Sequence, residues 1–184
     1  MFDELITKIK SDKDSWDKFK NFFSEIKVTA RTILLNEGEI ARHIYFIKEG
    51  CLRLWFNKDG KDITFQFFFE GQGVASIDSF IGDQPSLYTL ESIEPTTLVT
   101  LRKENFIKLQ EIFPEVKEGF QQLFFLRWRN YAQLFLSRIK DTPQERYRDL
   151  LANHPDIIKR IPQHYIASYL GITPISLSRI RNRK

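Results

Sequence analysis

Cysteine is almost absent from this chain of 184 residues, where Cys51 stands alone. One thiol closes no internal disulfide and holds neither an iron–sulfur cluster nor a zinc ribbon, so it reads as a small residue of a strand. Histidine is nearly as sparse. His43, His154 and His164 lie far apart, with no HExxH, no H-x-H and no carboxylate at ligand spacing. No metal, cofactor or catalytic residue is therefore predicted, and the chain is not read as an enzyme. No run approaches the roughly 18 apolar residues that cross a bilayer. The N-terminal MFDELITKIKSDKD carries acids where a signal peptide needs a basic start, so a soluble, cytoplasmic protein without a membrane partner is expected. Two regional absences are more informative. Residues 157–184 contain no Asp or Glu, and residues 70–93 contain no Lys or Arg.

The first absence concentrates charge. The chain carries 28 Lys and Arg against 24 Asp and Glu, a net +4. Lys159, Arg160, Arg179, Arg181, Arg183 and Lys184 give residues 157–184 a charge of +6, leaving −2 for the rest. A basic surface at one end suits phosphate. The same stretch, RIPQHYIASYLGITPISLSRIRNRK, has a helix-turn-helix pattern. Pro162 opens a first helix with Ile166, Tyr169 and Leu170 at helical spacing, and Gly171 supplies the positive φ that ends it. Thr173 then caps a second helix begun by Pro174. Leu177 and Ile180 face inward, while Ile175, Ser176, Ser178, Arg179 and Arg181 face out. In such motifs the second helix enters the DNA major groove. A purely structural helix pair shows the same pattern; the charge is what favours DNA.

Upstream, residues 2–10 and 12–24 read as amphipathic helices. From 28 to 101 short alternating runs separated by Asn36–Glu39, Asn57–Lys61 and Glu70–Gly73 turn signals predict antiparallel strands, the Asp59-Gly60 pair being a hairpin signature. The fold class expected is α+β, with a jelly-roll-like β-barrel and flanking helices. Residues 73–89 interrupt the strands, and an excursion of this kind is where a ligand pocket is built. Pro114 opens a long helix to about Lys140 with two apolar seams. One holds Phe120, Phe124, Tyr131 and Leu134 around Arg127; the other holds Phe125, Trp128, Ala132, Phe135 and Ile139. Two seams need two partners, the barrel and a second copy, with a buried helix in a monomer as the other option. Thr142-Pro143-Gln144-Glu145 is a capping box that starts another helix.

With these motifs in this order, the chain resembles the Crp/Fnr family of bacterial transcription regulators. The carrying segments are NEGEIARHIYFIKEGCLRLWF, NKDGKDITFQFFFEGQ and IPQHYIASYLGITPISLSRIR, and the phrases TPQERY and ASYLGITP are similar to short members found in Bacteroidetes. The resemblance implies a cyclic-nucleotide-binding-type barrel over residues 1–112, a dimerisation helix over 113–140 and a small helix-turn-helix domain over 141–184. It implies a homodimer joined through Phe120, Phe124, Arg127, Trp128, Tyr131, Leu134 and Phe135. It also implies double-stranded DNA with a near-palindromic operator as partner, and RNA polymerase beyond it. Gln163, Thr173, Pro174, Ile175, Ser176, Ser178, Arg179, Arg181, Arg183 and Lys184 are the expected DNA-contacting set. Arg179 falls where relatives reach a guanine edge, and Ile175 replaces a common Glu. The sequence stops after this helix without the β-wing many relatives carry, leaving Arg181, Arg183 and Lys184 for phosphate contacts.

An effector pocket is expected around Val74, Ala75, Ser76, Ile77, Ser86, Leu87 and Tyr88. Members that bind cyclic AMP place a Glu and an Arg about ten residues apart there, whereas this chain has Ser76 and Ser86. A buried phosphodiester without a cation meets a desolvation cost of several kcal/mol. The effector, of unknown identity, is accordingly expected not to be cyclic AMP. Two other functional classes compete: a ligand-binding barrel that regulates a partner protein through its C-terminal helices, and a cupin-type enzyme, for which the metal-ligand cluster is missing.

Overall fold

The structure is a computed structural model, and it describes residues 13–182. A short helix α1 (Lys13–Phe19) runs into a 3-10 turn (Lys20–Phe22) and then directly into strand β1 (Phe23–Val28). The helix expected to continue to residue 24 thus ends early. β1 finds an unbroken antiparallel partner, from Phe23 opposite Leu101 to Val28 opposite Thr96, and those ladder bonds override local helix propensity. Phe19 is held edge-on to Phe22 and Phe113 at 5.3 and 5.4 Å, which fixes the corner. The helix expected over 2–10 lies outside the described residues.

Seven further strands follow: β2 (Ile33–Leu35), β3 (His43–Glu49), β4 (Leu52–Lys58), β5 (Lys61–Phe68), β6 (Gly73–Val74), β7 (Thr89–Ser92) and β8 (Thr96–Arg102). Helix α2 (Ile77–Gly82) sits within the excursion. The strands form two four-stranded sheets, ordered β1-β8-β3-β6 and β2-β7-β4-β5. Among the described residues neither sheet closes on itself: the antiparallel strands expected from the spacing are present, as two open sheets. The pairing is nested, β1 with β8 and β2 with β7, and spacing along a chain carries no information about such long-range partners. The β4–β5 hairpin turns through Asp59 and Gly60, both at positive φ, as a two-residue turn of this type requires. Gly50 has the strictest requirement: at φ +102° a Cβ would stand 2.4 Å from Thr96 Oγ1.

Six helices complete the chain after α2: α3 (Lys103–Ile112), α4 (Pro114–Lys140), α5 (Pro143–Asn153), α6 (Pro155–Arg160), α7 (Gln163–Leu170) and α8 (Pro174–Asn182). The capping box at α5 is complete: Thr142 Oγ1 accepts the Glu145 N–H at 3.3 Å and Glu145 Oε2 accepts the Thr142 N–H at 2.7 Å. Those bonds hold the Glu145 carboxyl below its usual range. Helix α6 was not foreseen, although Pro155 at its first position is the signal that marks it.

The chain packs as two units. The first comprises residues 13–54 and Phe67–Gln121; the second comprises Trp55–Gln66 and the chain from Gln122 onward. The first is built on Leu52, Leu54, Phe68, Val74, Phe80, Leu90, Leu98 and Leu101, all buried. It also contains a buried ion pair that the alternation of β4 did not reveal. Arg53 is 1% exposed, and its Nε and Nη2 donate to Glu91 Oε2 on β7 at 2.9 and 2.7 Å. A charge removed from water this completely depends on its partner. Glu91→Ala is expected to destabilise the protein by about 3–5 kcal/mol, while joint replacement by Arg53→Met and Glu91→Leu recovers most of that loss. Denaturant titration of Glu91→Ala, Arg53→Met, Glu91→Leu and the double variant checks this; a double variant whose loss is the sum of its two single losses would contradict it.

Candidate functional site

The second unit carries the acid-free C-terminal helices. Helix α7 ends on Gly171 in the left-handed conformation (φ +70°), whose N–H reaches the Ser168 carbonyl while that of Ile172 reaches Ala167 at 2.9 Å. Thr173 caps α8 by accepting the Ser176 N–H at 3.1 Å. Leu177 is buried and Ile180 half-buried, with Ile166, Ala167 and Leu170 of α7 buried in the same unit. The opposite face of α8 is open: Thr173, Pro174, Ile175, Ser178, Arg179 and Arg181 are exposed, and Ser176 is half-buried. Gln163 is exposed at the first position of α7, apart from that face in sequence. Arg183 and Lys184 lie outside the described residues. Six of the ten expected residues (Pro174, Ile175, Ser176, Ser178, Arg179 and Arg181) thus lie on one helix of nine residues capped by Thr173, with Ile175 its most exposed apolar member at 67%.

The two seams of α4 separate cleanly. Phe120 packs on Phe106 at 4.8 Å within the first unit, and Tyr131 packs on Phe65 at 5.1 Å within the second. Leu123 and Leu134 are half-buried and Arg127 is buried. Loss of hydration pushes the Arg127 guanidinium below its ordinary pKa, opposed by the nearby Tyr131. Four of the residues expected at a dimer contact, Phe120, Arg127, Tyr131 and Leu134, are therefore covered by their own chain. Trp128 and Phe135 are not, and Phe124 is 42% exposed. Phe125 and Ile139 join them, so the uncovered stripe reads Phe125, Trp128, Ala132, Phe135, Ile139, at 69, 66, 65 and 66% exposure for the four large members. The pattern was visible in the sequence; which seam remained free was not.

In the first unit a cavity of about 490 Å³ opens beside the excursion. Ala75 and Ser76 of the expected effector set line it, together with Leu34, Leu35, Leu90 and Tyr45. The other five do not line it: Val74 and Ser86 are buried, Ile77 and Tyr88 half-buried, and Leu87 is 62% exposed. Glu39, Arg42 and His43, from the segment linking β2 and β3, also line the cavity and were not anticipated. The signal lay in the backbone: Gly38 donates to the Ser86 carbonyl and Ser86 to the Glu39 carbonyl, both at 2.8 Å, which draws that segment against the excursion.

Ser76, the one serine lining this cavity, is bonded to residues behind the wall. Ser86 Oγ lies 2.8 Å from Ser76 Oγ and accepts the Tyr88 N–H at 3.1 Å, and Ser76 donates onward to Asp78 at 3.0 Å. The two serines occupy the positions where a Glu–Arg pair was sought, and they bond to each other. Burial raises the Tyr88 phenol above its ordinary pKa, and Asp78 adds to the effect. His43 is pushed down from its ordinary 6.5, chiefly by burial and then by Arg102, so it faces the cavity as a neutral imidazole near pH 7. Arg42 stands at the exposed rim and is paired with Asp83 at 3.1 Å. Among the described residues no group of His, Cys, Asp and Glu could hold a metal ion, and no helix is long and apolar enough to cross a membrane.

Residues 25–112 match the cyclic nucleotide-binding domain family. This span runs from within β1 to the end of α3 and includes every residue that lines the cavity. Over most of its length the chain is similar to solved regulators. FixK2 from Bradyrhizobium japonicum shares 19% identity over 88% of this chain and 83% of that one, with a TM-score of 0.74. The CLP regulator of Xanthomonas campestris shares 15% over 92% and 89%, with a TM-score of 0.72. A CooA mutant from Carboxydothermus hydrogenoformans shares 16% over 88% and 76%, with a TM-score of 0.69. At these identities the likeness is one of fold. No curated protein matches the sequence.

Residues 70–93, within the span that matches the cyclic nucleotide-binding domain family, contain no Lys or Arg. Isothermal titration with cyclic AMP is expected to give no binding at micromolar concentration. A micromolar dissociation constant would contradict the reading of the serine pair.

Proposed function

We propose that the chain is a homodimeric DNA-binding transcription regulator whose sensor module answers to an uncharged effector rather than cyclic AMP. The observation that carries this is the open face of α8: a Thr-capped, acid-free helix that turns Arg179, Arg181, Ser178 and Ile175 to solvent while Leu177 holds it to its own unit. Helix and charge together are what a major-groove reader needs. CLP, which shares the fold, is described as a c-di-GMP-responsive global regulator that links cell–cell signalling to virulence gene expression. A regulatory role for this chain is in keeping with that description. Arg179 reads a base edge, Ile175 touches a thymine methyl, and Thr173, Ser176, Arg181, Arg183 and Lys184 hold phosphates. Gln163, at the start of α7, contacts the backbone beside the groove.

The uncovered stripe on α4 is the dimer seam. Its 3-4-3-4 spacing is that of a helix packing on a copy of itself, and a contiguous apolar surface of this kind on a small chain marks an interface. Two α8 helices are then displayed about 34 Å apart, one helical turn of duplex.

Two measurements test these assignments. In gel-shift titrations against a selected operator, Arg179→Ala is expected to cost about 1–3 kcal/mol and to relax one base position, while Arg181→Ala weakens binding to all sequences and lowers the salt slope by about one. An Arg179→Ala protein that binds as well as its parent would contradict the role of Arg179. In sedimentation velocity the parent should run as a dimer and a Trp128→Lys, Phe135→Lys variant as a folded monomer. A monomeric parent would overturn the seam.

A further inference from the structure

Helix α7 does not simply pack beside α8; its last turn is tied from three directions. Ser168, on α7, accepts the Thr64 N–H through Oγ at 2.7 Å and donates from Oγ to the Asp62 carbonyl at 2.9 Å. The next carbonyl, that of Tyr169, accepts from Arg138 Nη2 of α4 at 2.8 Å, and the one after, of Leu170, accepts from Arg146 Nη2 of α5 at 3.0 Å. Two guanidinium groups at a helix C-terminus also complement its dipole.

The Ser168 contact is the unusual one, because it joins a helix to a strand edge. Strand β5 is the outermost strand of its sheet, so on that side its N–H and C=O groups meet no neighbouring strand. The Asp62 carbonyl and the Thr64 N–H lie two residues apart and face the same side. A hydroxyl carries one donor and can accept as well, so one serine satisfies both groups, as a single position of an added strand would. Alanine offers neither. Phe65, next in β5, packs on Tyr131 of α4, so the hairpin is itself held within the same unit.

We infer that Ser168 is a positioning residue for DNA reading: by tying the last turn of α7 to the edge of β5, it sets the aim of α8, whose cap Thr173 follows shortly in the chain. The inference rests on the reading of α8 given above, and it makes the β4–β5 hairpin a third support of the reading helix beside α4 and α5. Residues that never approach DNA would then change operator affinity.

The test uses the full chain. Amide exchange is measured residue by residue, and binding is measured to a selected operator and to random duplex of the same length. Ser168→Ala should speed exchange at Thr64, and at Leu177 within α8, by about tenfold. It should weaken operator binding roughly five- to tenfold and leave random-duplex binding and its salt slope unchanged. Ser168→Thr, which keeps the hydroxyl, should restore both. Unchanged exchange at Thr64 or Leu177, unchanged operator affinity, an equal loss on both duplexes, or a folded Ser168→Thr protein that restores nothing would each overturn the inference. Should the parent select no DNA, the proposed function fails on its own, and the exchange at Leu177 still decides whether Ser168 positions α8.

Discussion

A helix with two apolar stripes has to be covered twice, and in this chain α4 is such a helix. Its 27 residues begin in one compact unit and end in the other. The seam through Phe120, Tyr131 and Leu134 is covered by the chain itself, which leaves the stripe from Phe125 to Ile139 bare. Hydrophobic burial is non-directional, but a stripe at this spacing is not indifferent to its partner; a second α4 laid alongside matches it residue for residue. On this reading the symmetry of the dimer, and with it the symmetry of the DNA it reads, follows from the seam that the monomer leaves uncovered.

The second theme is where charge is absent. Ser76 on the cavity wall bonds to Ser86 and Asp78, and residues 70–93 hold no Lys or Arg; Arg42, which also lines the cavity, is paired with Asp83. The terminal helices hold arginines and no acids. The excursion beside the cavity thus supplies no cation of its own, whereas the acid-free C-terminal stretch attracts a polyanion. On the proposed reading, the span that matches the cyclic nucleotide-binding domain family accepts a ligand of different chemistry.

Much of this was legible from the residues, and the reasons differ from element to element. The capping box at Thr142, the hairpin at Asp59-Gly60, the start of α4 at Pro114 and the turn at Gly171 rest on local chemistry, in which a few adjacent residues decide the outcome. The nested strand pairs, the buried Arg53–Glu91 pair and the contribution of Glu39, Arg42 and His43 to the cavity depend on contacts far apart in the chain. Alternation along β4 placed Arg53 opposite Leu52 and Leu54, but it could not say that both faces of that strand would be buried. The Ser168 tie was hidden for the same reason: its partners are the backbone of β5, and backbone groups leave no mark in a sequence.

The account turns on one proposition, that two copies of α8 read a single duplex together. Selection of bound fragments from random duplex DNA by the purified full chain addresses it most directly. The account predicts an enriched pair of inverted half-sites with centres one helical turn apart. Enrichment of a single unpaired half-site, or none over the random pool at low salt, would contradict it.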